Sequence, residues 1–141
     1  MKIVFDAISS SKSDTTHLAS KFVSTVENQS IIYLTGDLGT GKTFFVSTCS
    51  QFYGLTKISS PSYSRVSVYN GQVNLIHCDF YRVDHHYEFL CNEVEPLLVE
   101  PWLLFVEWPS EILNIDCSYE YDIRITMNDN NSKRRIVITR L

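Results

Sequence analysis

The sequence predicts an α/β fold in which a central, mainly parallel sheet is flanked by helices and extended by antiparallel strands. Two apolar runs of strand length, SIIYLT at residues 30–35 and WLLFVE at residues 102–107, indicate buried strands of such a sheet. Two further segments carry hairpin signals, which predict antiparallel pairs. The 141 residues show neither a linker nor an internal repeat, so we expect one domain over residues 1–141.

The N-terminal part of the chain is predicted to form strand, helix, strand and helix in that order. KIVF, close to the N-terminus, is typical of a short strand. Apolar side chains at helical spacing in THLASKFVSTV, residues 16–26, predict a helix whose N-cap is Ser13 or Asp14. After SIIYLT, the segment KTFFVSTCSQFYG, residues 42–54, predicts a second helix with its C-cap at Gly54.

The rest of the chain predicts two hairpins that surround a mixed segment. Asn70-Gly71 is a strong turn signal between two strands. Residues 83–101 are charged and mixed in pattern, and we expect them to be helical in part. Residues 121–141 alternate between apolar and polar side chains on both sides of the turn-forming NDNN, which predicts the second hairpin.

Charge and cysteine content narrow the class of protein. A net charge of −4 at pH 7 disfavours strong non-specific binding to nucleic acids. The four cysteines show neither C-x-x-C pairs nor metal-ligand spacing, which is typical of reduced thiols in an intracellular protein. No run approaches the roughly 20 apolar residues that span a bilayer, and the N-terminal segment lacks the features of a secretory signal. We therefore expect a cytoplasmic protein that does not contact a membrane.

A glycine-rich loop follows SIIYLT and precedes the second predicted helix. It reads GDLGTGKT and fits the phosphate-binding pattern G-x-x-x-x-G-K-[ST]. Its glycines let backbone N–H groups approach phosphate oxygens, and the helix that follows directs its positive end at the same oxygens. We expect Lys42 to neutralise phosphate and Thr43 to place its hydroxyl on Mg²⁺. The predicted nucleotide-binding residues of this loop are Gly36, Asp37, Leu38, Gly39, Thr40, Gly41, Lys42 and Thr43.

A P-loop nucleoside triphosphatase also needs a carboxylate for Mg²⁺, usually at the end of an apolar strand. Asp79 follows NLIHC, and Glu107 follows LLFV. Because parallel strands deliver their C-terminal ends to the sheet edge where the phosphate loop lies, we expect both acids at the site. These residues alone leave open which acid holds the metal. His77 lies on the same strand face as Asp79, and it fits a core histidine and a site residue equally well.

Missing and scarce motifs narrow the nucleotide and the reaction. The sequence lacks the N-K-x-D element by which GTPases read guanine, so we expect ATP. Between Asp79 and Glu107 the only arginine is Arg82, whereas the lid of a small-molecule kinase usually carries several. We interpret the basic triplet at residues 133–135 as a solvated edge that discourages strand pairing. These observations indicate a minimal ATPase that acts on a partner, with a small-molecule kinase and a non-hydrolysing nucleotide-sensing adaptor as alternatives.

Four segments carry a resemblance to a known family. GDLGTGKTF, SSPSYSRVSVY, LIHCDFYRV and FVEWP, in this order and in a chain of this size, resemble the bacterial TsaE (YjeE) ATPases. That family is required for making threonylcarbamoyladenosine in tRNA. The match runs from about Ser13 to the end of the chain, and the combination of H-x-D-x-Y-R with an apolar strand ending in E-W is specific.

The resemblance implies a slow P-loop ATPase that is stimulated by the TsaD–TsaB complex and meets tRNA only through these partners. Lys42 would contact the phosphates of ATP, and Asp79 would lie near the γ-phosphate. Thr43 and Glu107 would hold Mg²⁺. Arg82 is the candidate in this chain for stabilising the transferred phosphate, unless a partner supplies that charge. The other implied site residues are Thr15 on the adenine side, Ser60, Pro61 and Ser62 in a mobile loop near the phosphates, and Trp108 beside Glu107.

Overall fold

The structure of the chain is a computed structural model that describes residues 1–37, 39–55, 65–81, 83–109, 111–130 and 132–141. The strands are β1 (Lys2–Ser9), β2 (Ser30–Thr35), β3 (Val66–Asn70), β4 (Asn74–Asp79), β5 (Trp102–Glu107), β6 (Glu120–Met127) and β7 (Arg134–Arg140). The helices are α1 (Lys12–Val23), α2 (Lys42–Phe52) and α3 (His86–Phe89), and α3 continues into a π-helical turn (Leu90–Val94) and a 3₁₀ turn (Glu95–Leu97).

Within the described residues, all seven strands lie in one sheet with the order β1-β7-β6-β2-β5-β4-β3. The centre of the sheet is parallel, since β2 pairs in parallel with β5 and β6, and β4 pairs in parallel with β5. The other three pairings are antiparallel and join β3 to β4, β6 to β7, and β7 to β1. The predicted α/β fold with a parallel centre and antiparallel additions is confirmed.

Two apolar clusters cover the faces of this sheet. Helices α1 and α2 pack over one face, against residues such as Leu34, Phe105 and Ile123. On the other face, Leu90 and Val94 of the π-helical turn pack over the central strands. Because β2 and β5 are covered on both sides, they are buried almost throughout, which explains why they read as continuous apolar runs.

The predicted helix ends need correction by one to three residues. The N-cap of α1 is Ser11, not Ser13 or Asp14. The Ser11 hydroxyl accepts a hydrogen bond from Asp14 N–H at 3.1 Å, and the Asp14 carboxylate accepts one from the Ser10 N–H at 2.9 Å. Asp14 therefore lies three residues inside the cap, at the spacing of a capping box, but its carboxylate accepts from the residue before the cap and not from the cap itself. The C-cap of α2 is Tyr53, and Gly54 follows it in the left-handed region with φ 75°.

Both predicted hairpins are present. Asn70 pairs with Asn74 across the first, so residues 71–73 form its loop. A Cβ atom on Gly71 would lie 2.8 Å from Leu55 Cδ2, so glycine allows the loop to approach the end of α2. In the second hairpin Met127 pairs with Arg134.

The interpretation of residues 133–135 as a sheet edge is wrong. Strand β7 lies between β1 and β6, and the two edges of the sheet are β1 and β3. Arg135 makes two contacts with the carboxylate of Asp6 on β1, at 3.0 and 2.8 Å. Arg134, on the other face, donates from Nε to the carbonyl oxygen of Thr40 at 2.7 Å. The sequence showed that β1 is a strand but not that it covers β7.

Two expectations concern the thiols and the membrane. All four cysteines are free in the structure, with Cys49 and Cys78 buried. Of the helices formed by the described residues, none has the length and apolar character needed to cross a bilayer.

Candidate active site

The parallel centre of the sheet brings the C-terminal ends of three strands to one edge. This edge runs across the strands and differs from the edges that β1 and β3 form. Strand β2 leads into the glycine-rich loop, β4 ends at Asp79 and β5 ends at Glu107. Asp79 is the register partner of Glu107, and the Phe80 N–H donates to the Glu107 carbonyl oxygen at 3.0 Å. Both carboxylates therefore reach the edge at which the loop lies, as the order of the strands predicts.

The glycine-rich loop has a backbone that side chains would disturb. A Cβ atom on Gly36 would lie 2.6 Å from the Ile125 carbonyl oxygen, and the backbone there has φ 154°. Gly41, the N-cap of α2, has φ 105° in the left-handed region. Thr40 closes the loop on itself through a hydrogen bond from its hydroxyl to the Asp37 carbonyl oxygen at 2.9 Å. Leu38, also predicted to belong to this loop, lies outside the described residues.

Lys42 provides a cation inside this loop. Its Nζ donates to the carbonyl oxygens of Gly36 at 2.6 Å and Asp37 at 3.0 Å, and lies 4.4 Å from the centre of the Trp108 ring. The residue is only 6% exposed. Burial lowers the pKa of the Lys42 ammonium from its ordinary value, whereas nearby carboxylates, Glu107 first among them, oppose that shift.

Glu107 is the most enclosed acid of the site. It is 5% exposed, and its two carboxylate oxygens lie 3.4 and 3.5 Å from the Thr43 hydroxyl. His77 Nε2 lies 2.6 Å from Glu107 Oε2. Thr43 and Glu107 thus present three oxygen atoms to the same space, and oxygen donors of this kind are those that Mg²⁺ prefers.

Asp79 is half-buried and lies beside Glu107. Its Oδ1 accepts a hydrogen bond from the Tyr81 N–H at 2.8 Å. Burial raises the pKa of Asp79 above its ordinary value of 3.8, the Tyr81 N–H opposes this, and the Glu107 charge adds to the rise. The carboxylate is therefore a better proton acceptor than an ordinary aspartate.

Trp108 follows Glu107 in an uncommon backbone conformation. Its φ is 55°, which is rare for a bulky side chain. Its ring lies over the Lys42 ammonium and stacks at a tilt on Tyr81, with ring centres 5.0 Å apart. Left-handed backbone at such a residue costs energy and is frequent at functional sites.

A cavity of about 200 Å³ adjoins the loop. Thr15 is buried at this cavity, and its hydroxyl lies 2.6 Å from the Ser9 hydroxyl. Arg134, which holds the Thr40 carbonyl oxygen, also contributes to the wall. The residues that line the cavity are Lys12, Thr15, Thr40, Gly41, Phe44, Ile125, Arg134 and Ile136.

Most of the predicted site residues come together at this sheet edge, and several need separate mention. Thr15 lies apart from the carboxylates, on the adjoining cavity. Arg134 and Phe44 also line the site but were not predicted to belong to it. The alternating pattern of β7 could not identify Arg134, because that requires knowing that β6 lies beside β2. Ser60, Pro61, Ser62 and Arg82 lie outside the described residues.

A larger and more open groove lies elsewhere. It measures about 670 Å³ and is lined in part by Tyr33, Asp122, Arg124 and Val137, on the sheet face opposite α1 and α2. Of the predicted site residues that the structure describes, none lines it. The convergence of charged groups around Lys42 therefore identifies the candidate site better than cavity size does.

Comparison with known proteins adds a second line of evidence. The family model of the threonylcarbamoyl adenosine biosynthesis protein TsaE matches residues 9–137. The chain is similar to proteins named tRNA threonylcarbamoyladenosine biosynthesis protein TsaE. That of Aquifex aeolicus is 30% identical in an alignment 141 positions long, which covers 96% of this chain and 98% of that protein. That of Rickettsia prowazekii is 30% identical over 126 residues, 87% of each chain.

Two further comparisons cover different extents. The TsaE protein of Borreliella burgdorferi is 36% identical over 87 residues, and this match spans 60% of the chain and only 64% of that protein. Among solved structures, YdiB from Bacillus subtilis superposes with a TM-score of 0.73 at 22% identity and covers 98% of this chain and 86% of that one. The latter likeness extends the agreement to the fold.

Proposed function

Because the chain belongs to the TsaE family, we propose that it binds and hydrolyses Mg-ATP in support of threonylcarbamoyladenosine synthesis in tRNA. The observation that carries this proposal is the convergence at one sheet edge of the buried Lys42 ammonium with the Thr43 hydroxyl and the Glu107 carboxylate. The cation would neutralise the phosphates of a nucleotide, and the oxygen atoms would be ligands for the metal ion bound to those phosphates.

The loop at residues 36–43 fits the phosphates. Lys42 Nζ now contacts the Gly36 and Asp37 carbonyl oxygens, and it would exchange these for phosphate oxygens when ATP binds. Helix α2 begins at Lys42. Its N-terminus would direct backbone N–H groups and the positive end of the helix dipole at the phosphates. The cavity of about 200 Å³ beside Thr15 is lined in part by the apolar side chains of Phe44, Ile125 and Ile136 and would take the adenine ring.

The oxygens at Thr43 and Glu107 fit a magnesium ion. Thr43 would supply its hydroxyl and Glu107 a carboxylate oxygen, directly or through water. A bound Mg²⁺ would contribute positive charge against the phosphate oxygens. We assign the metal role to Glu107 rather than Asp79 because Glu107 lies within 3.5 Å of the Thr43 hydroxyl.

Asp79 would then act on the attacking water. It is the second carboxylate at the strand ends, and the rise in its pKa that burial causes makes it the better proton acceptor. Trp108 would keep the Lys42 side chain over its ring and help to exclude solvent. In this arrangement the side chains mainly position the reactants and stabilise charge.

The partners that the family resemblance implies are TsaD and TsaB. A slow ATPase lacks a group that stabilises the transferred phosphate, and a partner that supplies a cation would raise its rate. With a net charge of −4, the chain is expected to reach tRNA only through such partners.

Phosphate release from Mg-ATP tests the proposal, measured for the chain alone and with purified TsaD–TsaB. We expect slow release that the partners stimulate. Lys42→Ala should abolish ATP binding, whereas Lys2→Ala, an exposed lysine on β1, should match the parent. Glu107→Ala should bind ATP and lose Mg²⁺-dependent hydrolysis, and an unaffected rate would transfer the metal role to Asp79.

The two alternatives predict different results in the same experiment. A small-molecule kinase would transfer the phosphate to an acceptor and release little of it free. A nucleotide-sensing adaptor would bind ATP and show no turnover with any partner. ATP binding equal to that of the parent in Lys42→Ala would contradict the loop assignment that all three share.

A further inference from the structure

We propose that His77 is a positioning residue that orients the Glu107 carboxylate toward the metal side of the site, an inference that rests on the proposed function. His77 Nε2 and Glu107 Oε2 are 2.6 Å apart, which is as close as Lys42 Nζ and the Gly36 carbonyl oxygen. His77 is 0% exposed, and Glu107 is 5% exposed. The contact is therefore made away from solvent, where its geometry is held by packing.

The parallel register explains why these two side chains meet. His77 is the register partner of Phe105, and Asp79 is the partner of Glu107. Side chains two residues apart on a strand share a face. His77 and Glu107 are consequently diagonal neighbours on the face that α1 and α2 cover, and an imidazole is long enough to span that diagonal.

The hydrogen bond has one direction. A carboxylate accepts and does not donate, so the imidazole Nε2 supplies the proton and Glu107 Oε2 accepts it. The other ring nitrogen, Nδ1, is buried without a hydrogen-bond partner among the described residues. Glu107 is thus the polar contact that accounts for a histidine in this position, and an apolar side chain would fill the same space equally well.

Fixing Oε2 determines what the rest of the carboxylate can do. The terminal torsion of a glutamate is broad and roughly two-fold, so an unrestrained carboxylate turns readily. With Oε2 held by His77, the carboxylate faces the Thr43 hydroxyl with both oxygens, Oε1 at 3.4 Å and Oε2 at 3.5 Å, and Oε1 is left for the metal. Carboxylates that bind metals are commonly held by such a second hydrogen bond, and its loss typically lowers metal affinity by about 10- to 100-fold.

Three variants separate positioning from packing. His77→Leu keeps an apolar side chain of similar reach and removes the donor. His77→Gln carries an amide N–H near the place of Nε2, whereas the shorter amide of His77→Asn reaches only the place of Nδ1. His85→Gln, at an exposed histidine before α3, controls for the loss of an imidazole.

Binding of Mn²⁺ in the presence of ADP, followed by electron paramagnetic resonance, is the main measurement. Binding of ADP in EDTA and the thermal unfolding temperature are measured beside it. We expect His77→Leu to weaken Mn²⁺ binding by about 10- to 100-fold while ADP binding in EDTA stays that of the parent. His77→Gln should recover most of the affinity, and His85→Gln should equal the parent.

Several outcomes would overturn the inference. A folded His77→Leu variant with the Mn²⁺ affinity of the parent would make His77 a packing residue. Equal losses in His77→Gln and His77→Leu would show that the donor is not the cause. If His77→Leu does not fold, the order of the amide variants decides, because Asn binding Mn²⁺ as well as Gln would contradict the Nε2 contact. A parent that binds no Mn²⁺ with ADP would contradict the proposed function as well.

Discussion

At the scale of single residues, the candidate site gathers charge that burial makes costly. Lys42 and Glu107 are almost fully buried, and Asp79 is half-buried. Each is partly compensated by a neighbour, such as the carbonyl oxygens around Lys42 or the imidazole beside Glu107. Sites built for a charged ligand commonly keep such groups at a cost in stability.

Asp79→Asn tests that cost through its pH dependence. The raised pKa means that the folded chain holds the Asp79 proton more tightly than the unfolded chain does. Ionisation of Asp79 therefore lowers the free energy of unfolding as the pH rises above the ordinary value of 3.8. The asparagine removes this charge and keeps an oxygen for the Tyr81 N–H.

We expect Asp79→Asn to unfold at a higher temperature than the parent at neutral pH, with the gain fading as the pH falls toward 3.8 and absent below that value. Circular dichroism melts across that range measure it. Asp84→Asn, at an exposed position, controls for the loss of one negative charge. A variant that is less stable than the parent at neutral pH would mean that the Asp79 charge stabilises the fold.

At the scale of elements, the sequence predicts which helices and strands form better than it predicts where they end and which strands lie beside each other. Every predicted strand is found, because the apolar runs and the alternating segments reflect how each strand is covered. The N-cap of α1 was misplaced because several hydroxyl and carboxyl residues compete there, and only the structure shows which one accepts from the helix. The spacing of Ser11 and Asp14 in a capping box was the available signal.

Ser11→Ala and Ser13→Ala form a matched pair for this cap. Ser11→Ala removes the acceptor of the Asp14 N–H and should lower the free energy of unfolding by about 1 kcal/mol. Ser13 is exposed within the first turn, so Ser13→Ala should be neutral or slightly stabilising. Urea denaturation measures both, and equal effects would contradict the assignment of the cap.

The two adjacent arginines of β7 distinguish a residue that contacts the candidate site from one that supports the sheet. Arg134 Nε holds the Thr40 carbonyl oxygen at 2.7 Å, whereas Arg135 points to the other face and contacts Asp6. Arg134→Ala should leave the loop less well held and weaken ATP binding by about tenfold, or about 1.4 kcal/mol. Arg135→Ala should leave ATP affinity unchanged. Isothermal titration calorimetry measures both affinities. Equal affinities in the two variants would contradict a contribution of Arg134 to ATP binding.

At the scale of the whole molecule, the site could be predicted further than the arrangement of the sheet. A loop after one strand and acids at the ends of two others suffice to bring Lys42, Asp79 and Glu107 to one edge, because parallel strands share a direction. The places of β6 beside β2 and of β1 outside β7 depend on pairing between distant segments, which local patterns do not encode. Arg134 was misread for that reason.

Because the loop contacts several elements, nucleotide binding should raise the free energy of unfolding of the whole chain. The loop connects β2 to α2. Its last residues contact Glu107 and Trp108 at the end of β5, and Thr40 contacts β7 through Arg134. A ligand that binds only the folded chain adds about 2.7 kcal/mol at roughly 100 times its dissociation constant, which is on the order of 10 °C in Tm for a chain of this size. We expect a rise of this order with Mg-ADP and a smaller one with ADP in EDTA.

Lys42→Ala decides where that stabilisation originates. It removes the cation of the loop and should abolish the rise in Tm, while Glu107→Ala should keep the part seen in EDTA and lose the part that depends on Mg²⁺. A rise that persists in Lys42→Ala would mean that the nucleotide binds elsewhere, for which the open groove of about 670 Å³ beside Arg124 is the next place to look. Arg135→Ala, at another residue that lines this groove, would then reduce the rise in Tm that ADP causes. If the loop binds the nucleotide, Arg135→Ala should instead show the full rise of the parent, because Arg135 lines neither the loop cavity nor the pocket beside Gly36 and Asp37.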